Sequence, residues 1–364
     1  MTTNSPASRR RIAALDAARA LGVLAMVCGH TLDALLSPAI RSMPGVETYW
    51  RVRGLTAPLF LLVAGWAVTA SVTRGRAEGW DILRGRLPRV GLLLLIGYML
   101  RLPGWDIGGF IAGDRDQWRH FLAFDALHCI ALGLLGGAAM LSALRGRAAR
   151  IAGFVTLAAL ALAVAPLIPV TRARGIGLIA LEQAALGTSP FPLFPWVAYF
   201  FVGGIVGLLA TGARPLVAAA GMAAVGAGGV VAARVIGLDD LPVHSPVLFV
   251  LRAGQVLLIL GALAAVPAAI AARAAPIGRA SLFVYALHVP IVYGWANQQG
   301  LAQRIGPTLG LGAALASGVA LAAVCLAVKV GVDRARRAVE EAGGVGAVVR
   351  LWTTVSWRTL GSRF

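Results

Sequence analysis

Charge is scarce in this chain, and negative charge is the scarcer sign. Only 13% of its 364 residues are charged, with 15 acidic side chains against 33 basic ones, whereas hydrophobic residues reach 59%. Soluble domains use roughly 25% charged and 45–50% apolar residues. The composition therefore excludes a soluble domain and predicts one polytopic membrane domain.

Cysteine is nearly absent. Cys28, Cys129 and Cys325 all lie in apolar stretches, which excludes a disulfide framework or a zinc motif, so no metal is predicted. The excess of arginine does not indicate nucleic-acid binding, because the arginines occur in short clusters between apolar runs. No small-residue cleavage pattern follows the first apolar run, so we predict a retained first helix rather than a signal peptide.

Long apolar runs recur along the whole chain. Windows of about 19 residues predict an all-α bundle of about ten transmembrane helices. They lie near residues 12–36, 54–73, 87–103, 120–143, 151–170, 191–211, 215–236, 246–268, 277–296 and 309–332.

Arginine clusters alternate with acidic or neutral loops along the chain. By the positive-inside rule, this alternation predicts that both termini lie in the cytoplasm. Residues 1–333 are predicted to form the membrane domain. Residues 334–364 are predicted to form a basic amphipathic cytoplasmic tail that lies on membrane lipids.

The first predicted span carries ionisable side chains on both of its halves. Each costs at least roughly 2.5–3.5 kcal/mol inside a bilayer, so each requires a partner or a use. Asp16 and Arg19 are three residues apart, as are His30 and Asp33, and each pair therefore shares a helix face. Arg19 and His30 are about 16 Å apart along the axis, with Arg19 toward the cytoplasm and His30 toward the outer face.

These spacings predict a catalytic histidine and an anion-binding arginine. His30 can take a proton from an acceptor hydroxyl or amine, and Asp33 can hold the imidazole tautomer that this requires. The planar guanidinium of Arg19 suits the phosphates of a cofactor that enters from the cytoplasm. In the structural alternative, His30 and Asp33 pair near water and Arg19 pairs with Asp16 or reaches lipid headgroups.

A second set of polar residues falls at similar predicted depth. Asp125 and His128 are three residues apart at the outer end of the fourth span, and His288 lies in the outer half of the ninth. A shared depth favours one substrate cavity lined by Asp125, His128 and His288. Structural pairing and packing are the alternatives. Metal binding is disfavoured because no pair has the local spacing of a zinc motif.

Five segments carry a family resemblance: LDAARALGVLAMVCGH, LTAPLFLLVAGWAV, FDALHCIALGLL, FPLFPWVAYFFVGGIVG and IGRASLFVYALHVPI. In this order they resemble the bacterial branch of the heparan-alpha-glucosaminide N-acetyltransferase catalytic domain family. The segment from Arg19 to His30 also resembles the arginine, ten residues, histidine motif of acyltransferase type 3 membrane enzymes. The resemblance covers roughly residues 11–296.

The resemblance implies a membrane enzyme that transfers an acyl group from cytoplasmic acyl-CoA to a sugar hydroxyl or amine at the outer face. Carried over by position, Arg19 would bind acyl-CoA and His30 would be the catalytic histidine. In the eukaryotic lysosomal members the essential histidine falls in the loop after the first span. Residues 37–53 here contain no histidine, so His30 serves instead or the activity differs.

Three classes of function remain open at this point. The first is an acyltransferase of the bacterial cytoplasmic membrane, with acetyl-CoA as the expected co-substrate and a sugar-containing or small-molecule acceptor. The second is a multi-pass transporter or flippase of envelope precursors, although no inverted repeat is evident. The third is a non-catalytic scaffold. The sequence predicts neither the acceptor nor the oligomeric state.

Overall fold

A computed structural model describes residues 12–75, 77–104, 107–164, 167, 176–185, 189–238, 241–242 and 245–341. Within these ranges the protein is all-α and has no β-strand, as expected. Its helices are α1 (Ala13–Leu35), α2 (Pro38–Arg41), α3 (Pro44–Val52), α4 (Thr56–Arg74), α5 (Trp80–Arg84), α6 (Leu87–Leu100), α7 (Ile107–Ile111), α8 (Arg115–Phe121), α9 (Ala126–Ala143), α10 (Arg147–Val164), α11 (Ile176–Ala185), α12 (Leu193–Ala210), α13 (Pro215–Ile236), α14 (Pro246–Ala265), α15 (Ala268–Ala271), α16 (Ala275–Tyr293), α17 (Leu301–Arg304) and α18 (Leu311–Glu341).

Nine helices of the described chain are long and apolar enough to cross a bilayer, which confirms a polytopic membrane protein. The third expected span differs from the others. Its helix α6 has 14 residues and therefore covers only about 21 Å. It follows the short helix α5, because Gly85 and Arg86 form a turn between the two. Helix α6 begins at the first residue of the predicted window, Leu87, and ends at Leu100, three residues before the end of the window. Pro103 disfavours helical backbone at the residue before it.

The long helices run between two ends of the bundle. We call the end where α1, α6 and α16 begin and α4 and α18 end the basic end. The opposite end is where α1 and α16 finish. Most of the arginine clusters that follow or precede long helices lie at the basic end, among them Arg74, Arg84, Arg145 and Arg279.

Close helix crossings form where glycine replaces a side chain. A Cβ atom on Gly203 of α12 would lie 2.0 Å from the carbonyl oxygen of Leu62 on α4, and one on Gly278 of α16 would lie 2.2 Å from that of Asp16 on α1. Small residues allow this backbone approach, on which helix association in lipid depends. The first crossing packs α12 against α4, and the second packs α16 against α1, the two helices that carry the candidate site.

The last helix extends past the predicted domain boundary. Helix α18 continues without interruption to Glu341, so residues 334–341 prolong the final span. The remaining part of the predicted amphipathic tail, residues 342–364, lies outside the described residues.

Candidate functional site

A cavity of about 1020 Å³ runs through the bundle between α1, α4, α6, α9, α16 and α18. Its lining changes character along its length. At the basic end it is rich in charge, with six basic and three acidic side chains: Arg19, Arg89, Arg279, Lys329, Arg336, Arg337, Asp16, Asp333 and Glu340. Deeper in the bundle the walls are apolar, and His30 and Tyr285 are polar groups of that inner part.

Arg19 lines this cavity and also pairs with Asp16. The Nη1 atom of Arg19 is 3.2 Å from Oδ1 of Asp16, one helical turn earlier. The guanidinium of Arg89, on α6, is near enough to Arg19 for the two positive charges to interact. The predicted pairing with Asp16 is present, and it leaves the Arg19 side chain in the cavity wall. Binding of cofactor phosphates by Arg19 stays a prediction.

His30 meets His288 across the α1–α16 interface. The distance from His30 Nδ1 to His288 Nε2 is 3.1 Å, and the two rings stack with centroids 5.2 Å apart. The residues are 258 positions apart in the chain. His30 lies in the cavity wall, whereas His288 is fully buried behind it.

The hydrogen bonds of this pair define its tautomers. His288 Nδ1 is 2.8 Å from the carbonyl oxygen of Val284, an atom that can only accept, so Nδ1 of His288 carries hydrogen. In a neutral ring, which complete burial favours, Nε2 of His288 is then an acceptor. His30 therefore donates from Nδ1, and its lone pair resides on Nε2. An orienting partner that selects the tautomer is the arrangement that a histidine base requires.

Asp33 has a different environment from the one expected. Its Oδ2 accepts a hydrogen bond of 3.3 Å from the hydroxyl of Tyr293, and its Oδ1 is 3.7 Å from Nη1 of Arg41. The carboxylate thus faces the opposite end of the bundle, one turn beyond His30. The hydrogen bond that sets the His30 tautomer is donated by His30 to Nε2 of His288. The predicted orienting role of Asp33 stays a prediction.

Asp125 and His128 form a capping box at the start of α9. Oδ1 of Asp125 accepts from the backbone N–H groups of Leu127 and His128 and lies 2.9 Å from His128 Nδ1. The His128 ring packs against Tyr98 and is 1% exposed. The Asp125–His128 pairing is therefore present within the first turn of α9, where it caps the N-terminus of that helix.

The predicted cavity residues Asp125, His128 and His288 lie behind the cavity wall. Asp125 reaches the wall through Tyr285, whose hydroxyl donates to Oδ2 over 3.4 Å. His288 reaches it through His30. Their assignment to the substrate cavity stays a prediction. In the structure, Asp125 and His288 contact residues of the cavity wall and do not line the cavity themselves.

Sequence reasoning missed several charged residues of the cavity. Arg89 and Lys329 fall inside predicted apolar spans, so the cost of burying charge was a sufficient signal for both. Arg336 and Arg337 lie beyond the last predicted span, in the segment expected to be a tail, and only the length of α18 brings them to the cavity.

No group of three or more metal-ligating side chains converges anywhere in the part of the chain that the structure describes. The fold and cavity define a polytopic membrane protein with an interior polar site. The family model of the type 3 acyltransferase domain matches residues 12–327. The chain belongs to that family and is a membrane acyltransferase. No protein of curated function matches it.

Proposed function

We propose that the protein transfers an acyl group, in the first instance acetyl, from cytoplasmic acyl-CoA to a hydroxyl or amine of a sugar-containing acceptor at the outer face of a bacterial cytoplasmic membrane. The observation that carries the proposal is one cavity that joins a cationic end to His30. The resemblance to the heparan-alpha-glucosaminide branch supports a sugar acceptor and an acetyl donor.

The charge of the basic end suits the donor. Coenzyme A carries a phosphorylated nucleotide and a pyrophosphate, and guanidinium groups bind phosphate oxygens through paired donors. Six basic side chains against three acidic ones leave this end of the cavity positive. The apolar part beyond it suits the pantetheine arm and the acyl thioester. About 16 Å separates Arg19 from His30 along α1, so the two ends of the donor have separate places.

The chemistry then needs one base and no covalent enzyme intermediate. Nε2 of His30 takes the proton of the acceptor hydroxyl or amine as that atom attacks the thioester carbonyl carbon. The carbon–sulfur bond breaks, and the imidazolium returns the proton to the departing thiolate. Because both substrates are held at His30, the reaction is effectively unimolecular. A transporter has less support, because the family is one of acyltransferases.

The first test compares purified wild type, His30→Ala and Arg19→Ala in nanodiscs, with acetyl-CoA as donor. We expect His30→Ala to bind acetyl-CoA normally and to lose roughly 10²–10⁴-fold in turnover, the usual contribution of a general base. Arg19→Ala should mainly weaken donor binding. Folded wild type that binds no acetyl-CoA would refute the proposal and favour a transporter.

A matched pair of variants on α18 tests whether the basic end of the cavity binds the donor. Arg337 lines the cavity and Arg334, one turn earlier, does not. We expect Arg337→Gln to raise the KM for acetyl-CoA several-fold, because it removes one phosphate-binding charge worth about 1 kcal/mol. Arg334→Gln should leave that KM unchanged. Equal KM values for the two variants would place the nucleotide elsewhere.

A further inference from the structure

A cluster of polar and aromatic side chains lies directly beyond His30, at the opposite end of the bundle. It consists of Asp33, Arg41, Trp50 and Tyr293, and we call it the vestibule. The Tyr293 ring meets the His30 ring edge-on with centroids 5.4 Å apart. The vestibule therefore begins at His30, the proposed base, on the side away from the basic end.

The vestibule is open, unlike the histidine pair beneath it. The side chains of Arg41 and Asp33 are 28% and 33% exposed, and Tyr293 is 36% exposed. His288 is 0% exposed. An acceptor that approaches His30 from this end thus meets a partly solvated, polar surface first.

Arg41 is held in place with donors to spare. Its Nε donates to the carbonyl oxygen of Leu36 and its Nη2 to that of Asp33, and its guanidinium lies 5.2 Å from the centroid of the Trp50 ring. A guanidinium has five N–H donors. Among the side chains that the structure describes, the neighbour of Nη1 is the Asp33 carboxylate, at 3.7 Å, which is beyond hydrogen-bond length. Arg41 is thus anchored by two backbone carbonyl oxygens and the Trp50 ring, and it has further N–H groups that can donate to a ligand.

We propose that the vestibule is the acceptor subsite, and that it recognises a neutral sugar ring. This inference rests on the proposed function and names the residues that select the acceptor. Arg41 supplies donors, the Asp33 carboxylate and the Tyr293 hydroxyl supply acceptors, and aromatic ring faces suit the apolar face of a pyranose. Within the four residues of the vestibule, the negative charge of Asp33 lies beside the positive charge of Arg41, which favours neutral hydroxyls over a phosphate.

The position of the vestibule fits the direction of the reaction. The donor fills the cavity from the cationic end, so the second substrate reaches His30 from elsewhere. A sugar held between Arg41 and Tyr293 presents a hydroxyl to Nε2 of His30. Asp33, expected from sequence to orient the imidazole, here binds the acceptor, while His288 orients the ring.

The test measures acetyl transfer from acetyl-CoA to methyl β-D-glucoside by the full chain in nanodiscs, with glucose 6-phosphate as an anionic comparison. Arg41→Gln should raise the KM for the glucoside roughly tenfold, equivalent to about 1.4 kcal/mol, and leave the KM for acetyl-CoA unchanged. Tyr293→Phe, which keeps the ring, should raise the glucoside KM several-fold. The matched control is Arg304→Gln, because Arg304 is an exposed arginine at the same end that donates from Nε to a backbone carbonyl; it should alter neither KM.

Each result that departs from these expectations overturns one specific claim. Wild-type glucoside kinetics in both Arg41→Gln and Tyr293→Phe would overturn the vestibule and leave the acyltransferase intact. Transfer to glucose 6-phosphate in preference to the glucoside would overturn the assignment to neutral sugars. Glucoside binding is also titrated in the absence of acetyl-CoA. If the wild type fails to bind acetyl-CoA, the proposed function is refuted. The titration of the glucoside against wild type, Arg41→Gln and Tyr293→Phe then still decides whether the vestibule binds a sugar.

Discussion

At the scale of single residues, the histidine pair is the most consequential contact. His30 lies in the cavity wall, and His288 supplies the acceptor that holds its Nδ1–H. His288 touches neither substrate in the proposed reaction, so it is a positioning residue. Its effect passes through the tautomer of His30, and a variant that preserves the acceptor should preserve part of the activity.

We predict that His288→Gln and His288→Leu differ in turnover. The glutamine side-chain oxygen can accept from His30 Nδ1–H, whereas leucine cannot and leaves that donor unsatisfied. Turnover should fall roughly 10²-fold or more in the leucine variant and much less in the glutamine variant, with the KM for acetyl-CoA unchanged in both. Melting temperatures serve as the folding control. Equal losses in two well-folded variants would contradict the tautomer role.

At the scale of elements, glycine positions decide which helix faces touch. A Cβ atom on Gly226 of α13 would lie 2.7 Å from the carbonyl oxygen of Gly254 on α14, while one on Gly228, two residues later, would meet nothing within 4 Å. The two glycines lie in the same helix, and their residue type alone gives no reason to expect different effects of substitution. Only the contact with α14 separates them, and that contact has no local sequence signal.

We predict opposite effects for alanine at these two positions. Gly226→Ala should destabilise the protein by about 1–3 kcal/mol, because the added methyl group forces two backbones apart. Gly228→Ala should be neutral or stabilising by up to about 1 kcal/mol, since alanine favours the helix. Thermal unfolding in one detergent compares the two. A lower melting temperature for the Gly228 variant than for the Gly226 variant would refute this packing.

Helix α18 shows how one element can serve two environments. Its first part is a membrane span, and its last turns carry the cavity residues Arg336, Arg337 and Glu340. Arg336 pairs with Glu340 one turn later, over 2.9 Å. Because α18 continues past the predicted apolar window, it places these charged side chains in the cavity wall at the basic end.

At the scale of the whole molecule, the arginine distribution orients the bundle. The proposed reaction requires the basic end to face the cytoplasm, where acyl-CoA is made, and the vestibule to face outward. The positive-inside rule predicts the same orientation from loop charge alone. Two independent arguments thus lead to one topology, which labelling can test.

We predict side-specific labelling of single cysteines. In a background with Cys28, Cys129 and Cys325 replaced by alanine, Ala148→Cys at the basic end should react with an impermeant maleimide only after the membrane is opened. Gln299→Cys at the opposite end should react in intact cells. Both positions are exposed. The reverse pattern would invert the topology and refute cytoplasmic delivery of the donor.

Much of the architecture was predictable because the bilayer imposes simple constraints. A helix must supply about 20 apolar residues and satisfy its own backbone, so the windows for residues 215–236 and 12–36 fall within a residue of α13 and α1. The window for residues 87–103 was less accurate at its end, because hydropathy does not register that the helix stops at Leu100, ahead of Arg101 and Pro103.

The sequence by itself determined the solvent of this protein, its helical class and the presence of Arg19 and His30 on one helix, since composition, hydropathy and helical spacing are local properties. The tertiary structure alone decided that His30 contacts His288, that Asp33 lies beside Arg41 and Tyr293, and that the last turns of α18 line the cavity. These are contacts between residues far apart in the chain. Helix packing creates them, and no window along the sequence contains both partners.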